Sequence, residues 1–293
     1  MFVVTGATGK VGGGVARILR EAGHPVRVVL RDENKAGAWR EGGCEIAVVP
    51  DAADPAALTS AMAGAAGVFL MNPPDYDPAP GFPETRARAA AARDALVAAR
   101  PGRTVFLSTI GARVERFNLL NNGGIFETEL SAMGLPVAML RAAWFMENIA
   151  WDIPSARDGR LASFLQPLDR AIDMVATRDI ASVAASLLTG GEWTGSRVVE
   201  LRGPEPVSPQ RIAERLGAML GRPVTAEALP AAGWEARLRA EGMRHPQARI
   251  EMLKGFNEGW IAFENGAAER RTGFTALDAV LADLLRREEG AAA

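Results

Sequence analysis

Thr5-Gly6-Ala7-Thr8-Gly9-Lys10-Val11-Gly12 follows the apolar run Phe2-Val3-Val4 and opens a stretch in which Val11, Val15, Ile18 and Leu19 share one helical face. Each glycine in it has a physical task. Gly6 permits a sharp turn off a strand, Gly9 lets the backbone approach a diphosphate, and Gly12 allows close packing of helix on strand. The start of the helix offers free N–H groups and the positive end of its dipole to the phosphates. A second apolar run at 25–30 completes the strand–loop–helix–strand context that a glycine triplet needs to mean dinucleotide binding. The first 35 residues are thus expected to bind a nicotinamide dinucleotide.

The residues after the second run bear on which dinucleotide. An NAD site wants a carboxylate there for the ribose 2′-hydroxyl. This run instead ends at Leu30 and continues into Arg31, with Lys35 close behind. Two cations suit the 2′-phosphate, so NADP is favoured over NAD. Asp32, twenty residues beyond Gly12, is the counter-argument.

Working outward, strands are expected at 2–5, 25–30, 45–49, 67–71, 104–108, 136–141 and 197–202, separated by helical patterns. Their Val/Ile/Leu-rich, non-alternating composition suits a parallel sheet covered on both faces. Helix punctuation is clear: Gly23 ends the first helix, Asp54-Pro55 and Ser208-Pro209 start later ones, and Thr177 is positioned to cap another. The fold class expected is α/β, a Rossmann-like doubly wound parallel sheet with a smaller C-terminal substrate lobe. Residues 1–150 would form the dinucleotide-binding core, rejoined by 176–203, while 151–175 and 204–293 would form the lobe. Residues 73–83 hold five prolines and read as a loop at the carboxyl end of the fourth strand, bordering the ligand crevice. The closing residues 290–293 are expected to carry no fixed structure.

Composition narrows the function classes. The chain has 293 residues, 48% of them apolar, and a net charge of −2, which argues against nucleic acid as a partner. No apolar run approaches the ~20 residues of a membrane span, and the chain opens on a strand without a basic leader, so a cytoplasmic protein is expected. Cys44 is the single cysteine and the two histidines, His24 and His245, lie far apart, leaving no disulfide, metal cluster or Ser–His–Asp triad to expect. Nothing in the sequence fixes an oligomeric state.

TGATGKVG at the start, LRDENKA after the second strand, VVPDAADPAAL after the third and LRAAWFMEN at 140–148 resemble the NmrA-like group of atypical short-chain dehydrogenases/reductases. That group includes NAD(P)H-dependent quinone oxidoreductases and azoreductases. The resemblance implies that Gly6, Ala7, Thr8, Gly9, Lys10 and Val11 hold the pyrophosphate and Arg31 the 2′-phosphate. It implies Asp51, ending the third strand, near the adenine, and Asn72 and Pro73 beside the nicotinamide ribose. Ser108 and Thr109 would lie beneath the nicotinamide, Ala143, Trp144 and Phe145 would line the ring pocket, and Arg178 would face the cofactor cleft.

One departure is informative. Typical short-chain dehydrogenases use a Tyr-x-x-x-Lys pair as proton donor. The single tyrosine here is Tyr76, with Pro80 four residues on, and the only lysines are Lys10, Lys35 and Lys254. The segment Gly124-Ile125-Phe126-Glu127-Thr128-Glu129, where NmrA-like reductases often carry a lysine, has none. The reading that follows is an NADPH-dependent reductase passing hydride to a small organic acceptor, a quinone, azo compound or imine, without that pair. The alternative is a redox sensor that binds NADP(H) and signals through a protein partner.

Overall fold

The computed structural model describes residues 1–264, 266 and 269–292. The seven apolar runs all become strands, with ends within one residue of those expected. They are β1 (Phe2–Thr5), β2 (Val26–Leu30), β3 (Glu45–Val48), β4 (Gly67–Met71), β5 (Thr104–Thr109), β6 (Val137–Ala142) and, after the short β7 (Trp144–Phe145), β8 (Arg160–Ser163) and β9 (Ile172–Val175), the long β10 (Ser196–Arg202). Three more follow: β11 (Pro206–Val207), β12 (Thr225–Ala228) and β13 (Glu269–Thr272). The helices are α1 (Lys10–Glu21), α2 (Gly37–Glu41), α3 (Pro55–Met62), α4 (Pro83–Ala99), α5 (Asn121–Ser131), α6 (Ile153–Arg157), α7 (Thr177–Thr189), α8 (Pro209–Leu220), α9 (Trp234–Ala240), α10 (Gln247–Glu258) and α11 (Leu277–Ala292).

The main sheet is parallel throughout, in the order β13-β10-β6-β5-β4-β1-β2-β3. Strand order reverses between β1 and β4, and a doubly wound sheet opens its ligand crevice at that point. Val11, Val15 and Leu19 of α1 pack with Ile180, Ala184 and Leu188 of α7 on one face. Leu58 and Met62 of α3, Ala92 and Leu96 of α4 and Phe126 and Leu130 of α5 cover the other. Apolar burial on both faces explains why these strands show no polar alternation.

The expected punctuation acts as chemistry requires at two helix starts. The Asp54 carboxylate accepts from the N–H groups of Ala56 and Ala57 at 2.9 and 3.1 Å, and Ser208 Oγ accepts from Arg211 N at 3.2 Å. Gly23 has φ +80°, which glycine tolerates best. Thr177 departs from expectation: it is not the cap but is capped. Glu147 accepts from both its N–H, at 2.9 Å, and its hydroxyl, at 2.5 Å. A carboxylate reaching in from another segment has displaced the local cap.

Two further differences concern boundaries. Residues 269–272, assigned to the lobe from sequence, form the edge strand β13 of the main sheet instead, pairing Val199–Arg202 in register. Its sequence, Glu269-Arg270-Arg271-Thr272, has no apolar run because it is an edge strand of charged and polar side chains, with Arg197 paired to Glu269 across the ladder. Helix α11 takes in residues 290–292, where no fixed structure was expected, and residue 293 lies outside the described residues.

Over the carboxyl ends of β5 and β6 lie the smaller sheets β7-β9-β11 and β8-β12 with α6 and α8 to α11. Trp234, 2% exposed, and Phe256 anchor this apolar layer. Asp77 ties the proline-rich loop to it, accepting from the N–H groups of Arg244 and His245 at 2.8 and 2.6 Å.

Candidate functional site

The glycine loop is built as the sequence requires. Gly6 sits at φ +66°, and a Cβ there would lie 2.2 Å from Met71 Sδ. Gly12 is confined by backbone rather than side chain, since its Cβ would meet Gly6 O at 2.4 Å and Thr5 O at 2.6 Å. Gly9, the residue before α1, has extended backbone and meets only Gly6 O at 3.3 Å, so its outer side is where a phosphate would fit. No side chain caps the first turn of α1, whose N–H groups have no carbonyl one turn back. Ala7 and Val11 are buried beneath the loop, Thr8 and Lys10 are exposed on it, and Lys10 Nζ lies 3.4 Å from the Glu147 carbonyl.

Arg31 is exposed at the end of β2 and carries no ion pair among the described residues. Asp32, its competitor for the ribose, is occupied: its Oδ1 accepts from Asn34 N at 2.9 Å and caps a short helical turn over Glu33–Lys35. Asp51 does not end the third strand, because β3 stops at Val48. It turns the following loop by accepting from Ala53 N at 2.8 Å. At the end of β4, next to Pro73, Asn72 Oδ1 is buried with no hydrogen-bond partner. A buried amide oxygen without a partner is costly, and a sugar hydroxyl would satisfy it. The glycine cradle and this oxygen fit a dinucleotide.

Two predicted residues are committed elsewhere. Ser108 Oγ donates to Glu127 Oε1 at 2.6 Å, facing α5 rather than standing free for a ligand. Arg178, expected in the cofactor cleft, pairs with Asp283 of α11 at 2.5 Å, a partner 105 residues further along the chain. Glu127 also holds Arg141, whose third contact is Glu264 at 2.9 Å. Burial opposes the charge of Arg141, but Glu127 and Glu264 outweigh it and hold the guanidinium above its ordinary value.

Thr109, Ala143, Trp144 and Phe145 come together at the ends of β5 and β6 as one wall of a cavity of about 570 Å³. The lobe supplies the opposite side with Phe164, Leu253 and Phe256, and the Trp144 and Phe256 rings meet edge to face at 5.1 Å. Tyr76 and Trp151, 51% and 61% exposed, stand edge to face at 6.0 Å on its border. Arg237 is paired with Glu241, while Arg249 and Asp152 have no ionic partner among the described residues. Burial pushes the Asp152 carboxyl up to about 6. Asp152, Arg249 and Phe256 were missed from sequence. Asp152-Ile153-Pro154 looks like an ordinary helix start, and the other two sit on a helix far along the chain, so no spacing links them to the glycine loop. Among the described residues no group of His, Cys, Asp and Glu could hold a metal ion, and no helix is long and apolar enough to cross a membrane.

The sequence model of the NmrA-like family matches residues 1–258. A (4-alkanoyl-5-oxo-2,5-dihydrofuran-3-yl)methyl phosphate reductase of Streptomyces griseus is 31% identical over 93% of this chain and 88% of its own length. An NAD(P)H azoreductase of Xenophilus azovorans is 28% identical over 86% of this chain and 85% of its own. Among solved structures, an NADPH-dependent quinone oxidoreductase of Escherichia coli in complex with NADPH superposes with a TM-score of 0.79. That pair is 22% identical, covering 97% of this chain and all (100%) of the other.

Proposed function

The chain belongs to the NmrA-like family, and from that premise we propose that it uses NADPH to reduce a small, largely apolar organic acceptor of the quinone, azo or imine type. It is an NAD(P)H-dependent oxidoreductase, and its cofactor is NADP(H). The observation that carries the acceptor class is the cavity of about 570 Å³ at the ends of β5 and β6, walled mainly by aromatic and aliphatic side chains. Its size and lining suit a compact, mostly apolar molecule. Relatives named as an azoreductase, a quinone oxidoreductase and a dihydrofuranone reductase fall in the same chemical range.

Bound in the crevice, NADPH supplies the hydride. The chain's residues do the rest by holding and sheltering. The backbone around Gly9 and the first turn of α1 bind the diphosphate. Arg31 takes the 2′-phosphate, with Asp32 withdrawn into its own turn. Asn72 Oδ1 accepts from a ribose hydroxyl. Thr109 and Ala143–Phe145 form the surface on which nicotinamide and acceptor meet, and Trp144 and Phe256 keep water from that meeting. The reading does without a Tyr/Lys proton donor, which is supported by the half-exposed place of Tyr76 on the cavity border and by a cavity lining that, among the described residues, includes no lysine.

The test is NADPH consumption against a panel of quinones, azobenzenes and cyclic imines. Turnover of at least one class is expected. Tight NADPH binding with no turnover of any of them would discard this reading in favour of a sensor acting through a protein partner.

A further inference from the structure

Resting on the reductase reading of this cavity, we infer that Asp152 is a catalytic residue, the acid that protonates acceptors whose reduced form is too basic to wait for water. The cavity lined by Thr109, Ala143, Trp144 and Phe145 is lined also by Asp152, which sits where the chain passes from the 3-10 turn Met146–Trp151 into α6. Its position before Ile153-Pro154 is that of a helix cap, yet the carboxyl caps nothing and has no hydrogen bond or ion pair among the described residues. Asp152 is partly buried, and a carboxyl shielded in this way without internal work is costly to keep ionised. Asp152 is itself partly exposed, so solvent is at hand to restore the proton after each turnover.

The surrounding charges leave it to itself. On the cavity wall, Arg237 and Glu241 are paired, and Arg249 and Tyr76 are the other ionisable groups. On the packed helices, Arg157 pairs with Glu288 and Arg215 with Asp278, while Glu147 is spent on Thr177. Burial alone therefore governs this carboxyl and raises it to about 6, close to the pH at which an acid must both hold and release a proton.

The step balances simply. An azobenzene takes hydride from the nicotinamide at one nitrogen; the nicotinamide is oxidised and the N=N π pair moves to the other nitrogen. That nitrogen forms its N–H bond as the Asp152 O–H bond breaks, giving a hydrazine and a carboxylate, and the carboxylate recovers a proton from water. A quinone needs none of this, since its hydroquinone anion leaves as it is.

The experiment compares wild type and Asp152→Asn with an azobenzene and with a naphthoquinone. Expected is a loss of roughly 100-fold or more in kcat for the azobenzene, the range for removing a general acid. KM for the azobenzene should hold, and the loss of kcat with naphthoquinone should be smaller by roughly tenfold or more than the loss with the azobenzene. The wild-type azobenzene rate should fall as pH rises through about 6, and the naphthoquinone rate should not. Independently of activity, carbon-13 NMR of aspartate-labelled protein without ligand should show one carboxyl titrating near this value, missing from the variant. If the asparagine variant fails to fold, the wild-type titration and Asp152→Glu decide, the latter keeping a pH-dependent azobenzene rate. Equal loss with both acceptors, no loss with either, or no aspartate titrating above about pH 5 would overturn the assignment to Asp152 while leaving the reductase reading intact. A wild type that turns over naphthoquinone but not the azobenzene overturns the assignment to Asp152 alone, and one that turns over no quinone, azobenzene or cyclic imine overturns both.

Discussion

Arg141 grips Glu127 with two hydrogen bonds, Nε to Oε1 at 2.8 Å and Nη2 to Oε2 at 2.7 Å, and both side chains are almost sealed from solvent. The pair binds β6 to α5 through the same carboxylate that accepts from Ser108. On its other side, Arg141 reaches Glu264, whose N–H donates to Glu200 of β10. The lysine-free segment 124–129 thus supplies, through Glu127, one half of a structural clasp.

Breaking that clasp on one side should therefore cost stability. Glu127→Ala leaves a buried guanidinium short of its main partner, a situation worth about 3–5 kcal/mol. The double variant Glu127→Leu/Arg141→Met removes both charges and should cost less than the sum of the two single variants. Urea denaturation of all three decides it. Additive losses would show that the two residues do not act as a pair.

Gly9 and Gly12 should fail in different ways. A Cβ on Gly12 would lie 2.4 Å from a backbone oxygen that cannot step aside, so Gly12→Ala should destabilise the fold by about 1–3 kcal/mol. Gly9 has room for a side chain on its own protein, its nearest contact being 3.3 Å. Gly9→Val should keep its circular dichroism yet lose roughly 100-fold or more in NADPH affinity, the equivalent of about 3 kcal/mol. A Gly9→Val protein with unchanged affinity by calorimetry would remove the phosphate from this loop.

Arg31 should read the 2′-phosphate. A charge-assisted hydrogen bond contributes about 1.5–3 kcal/mol, which is roughly 10- to 100-fold in affinity. Arg31→Glu should weaken NADPH by that much and NADH hardly at all. Equal losses would mean that the arginine meets some other part of the cofactor.

The parts of this site that were legible in sequence are those made by neighbours in the chain. The glycine loop follows from local turns and a buried apolar run, and the apolar runs locate the strand ends at which the resemblance puts Asn72, Thr109 and Ala143–Phe145. Arg178 and Ser108 were placed by resemblance, and each is diverted by a partner distant in sequence, Asp283 in one case and Glu127 in the other. Strand β13 escaped because an edge strand needs no apolar face, and its charges read as a loop. The lobe's half of the cavity is the least legible, since Arg249 and Phe256 belong to a helix with no motif, brought in only by tertiary packing.

Asp152 also has a consequence for stability that needs no substrate. Its carboxyl is raised from 3.8 to about 6 in the folded protein, so folding favours the protonated form. Below the unfolded value both states hold the proton and burial costs nothing extra. As pH rises from there to the folded value, the unfolded chain ionises first and the folded state loses ground. Above it, the full penalty of a buried carboxylate is present, about 3 kcal/mol at most for a shift of this size. Asparagine cannot ionise, so Asp152→Asn should gain on wild type between about pH 4 and 6 and hold a constant advantage above that. Urea midpoints measured at about pH 4.5 and 7.5 should differ in how far the variant leads, with the larger lead at the higher pH. A lead independent of pH would mean that this carboxyl is hydrated in the folded protein, which would also remove the reason for it to hold a proton near neutrality.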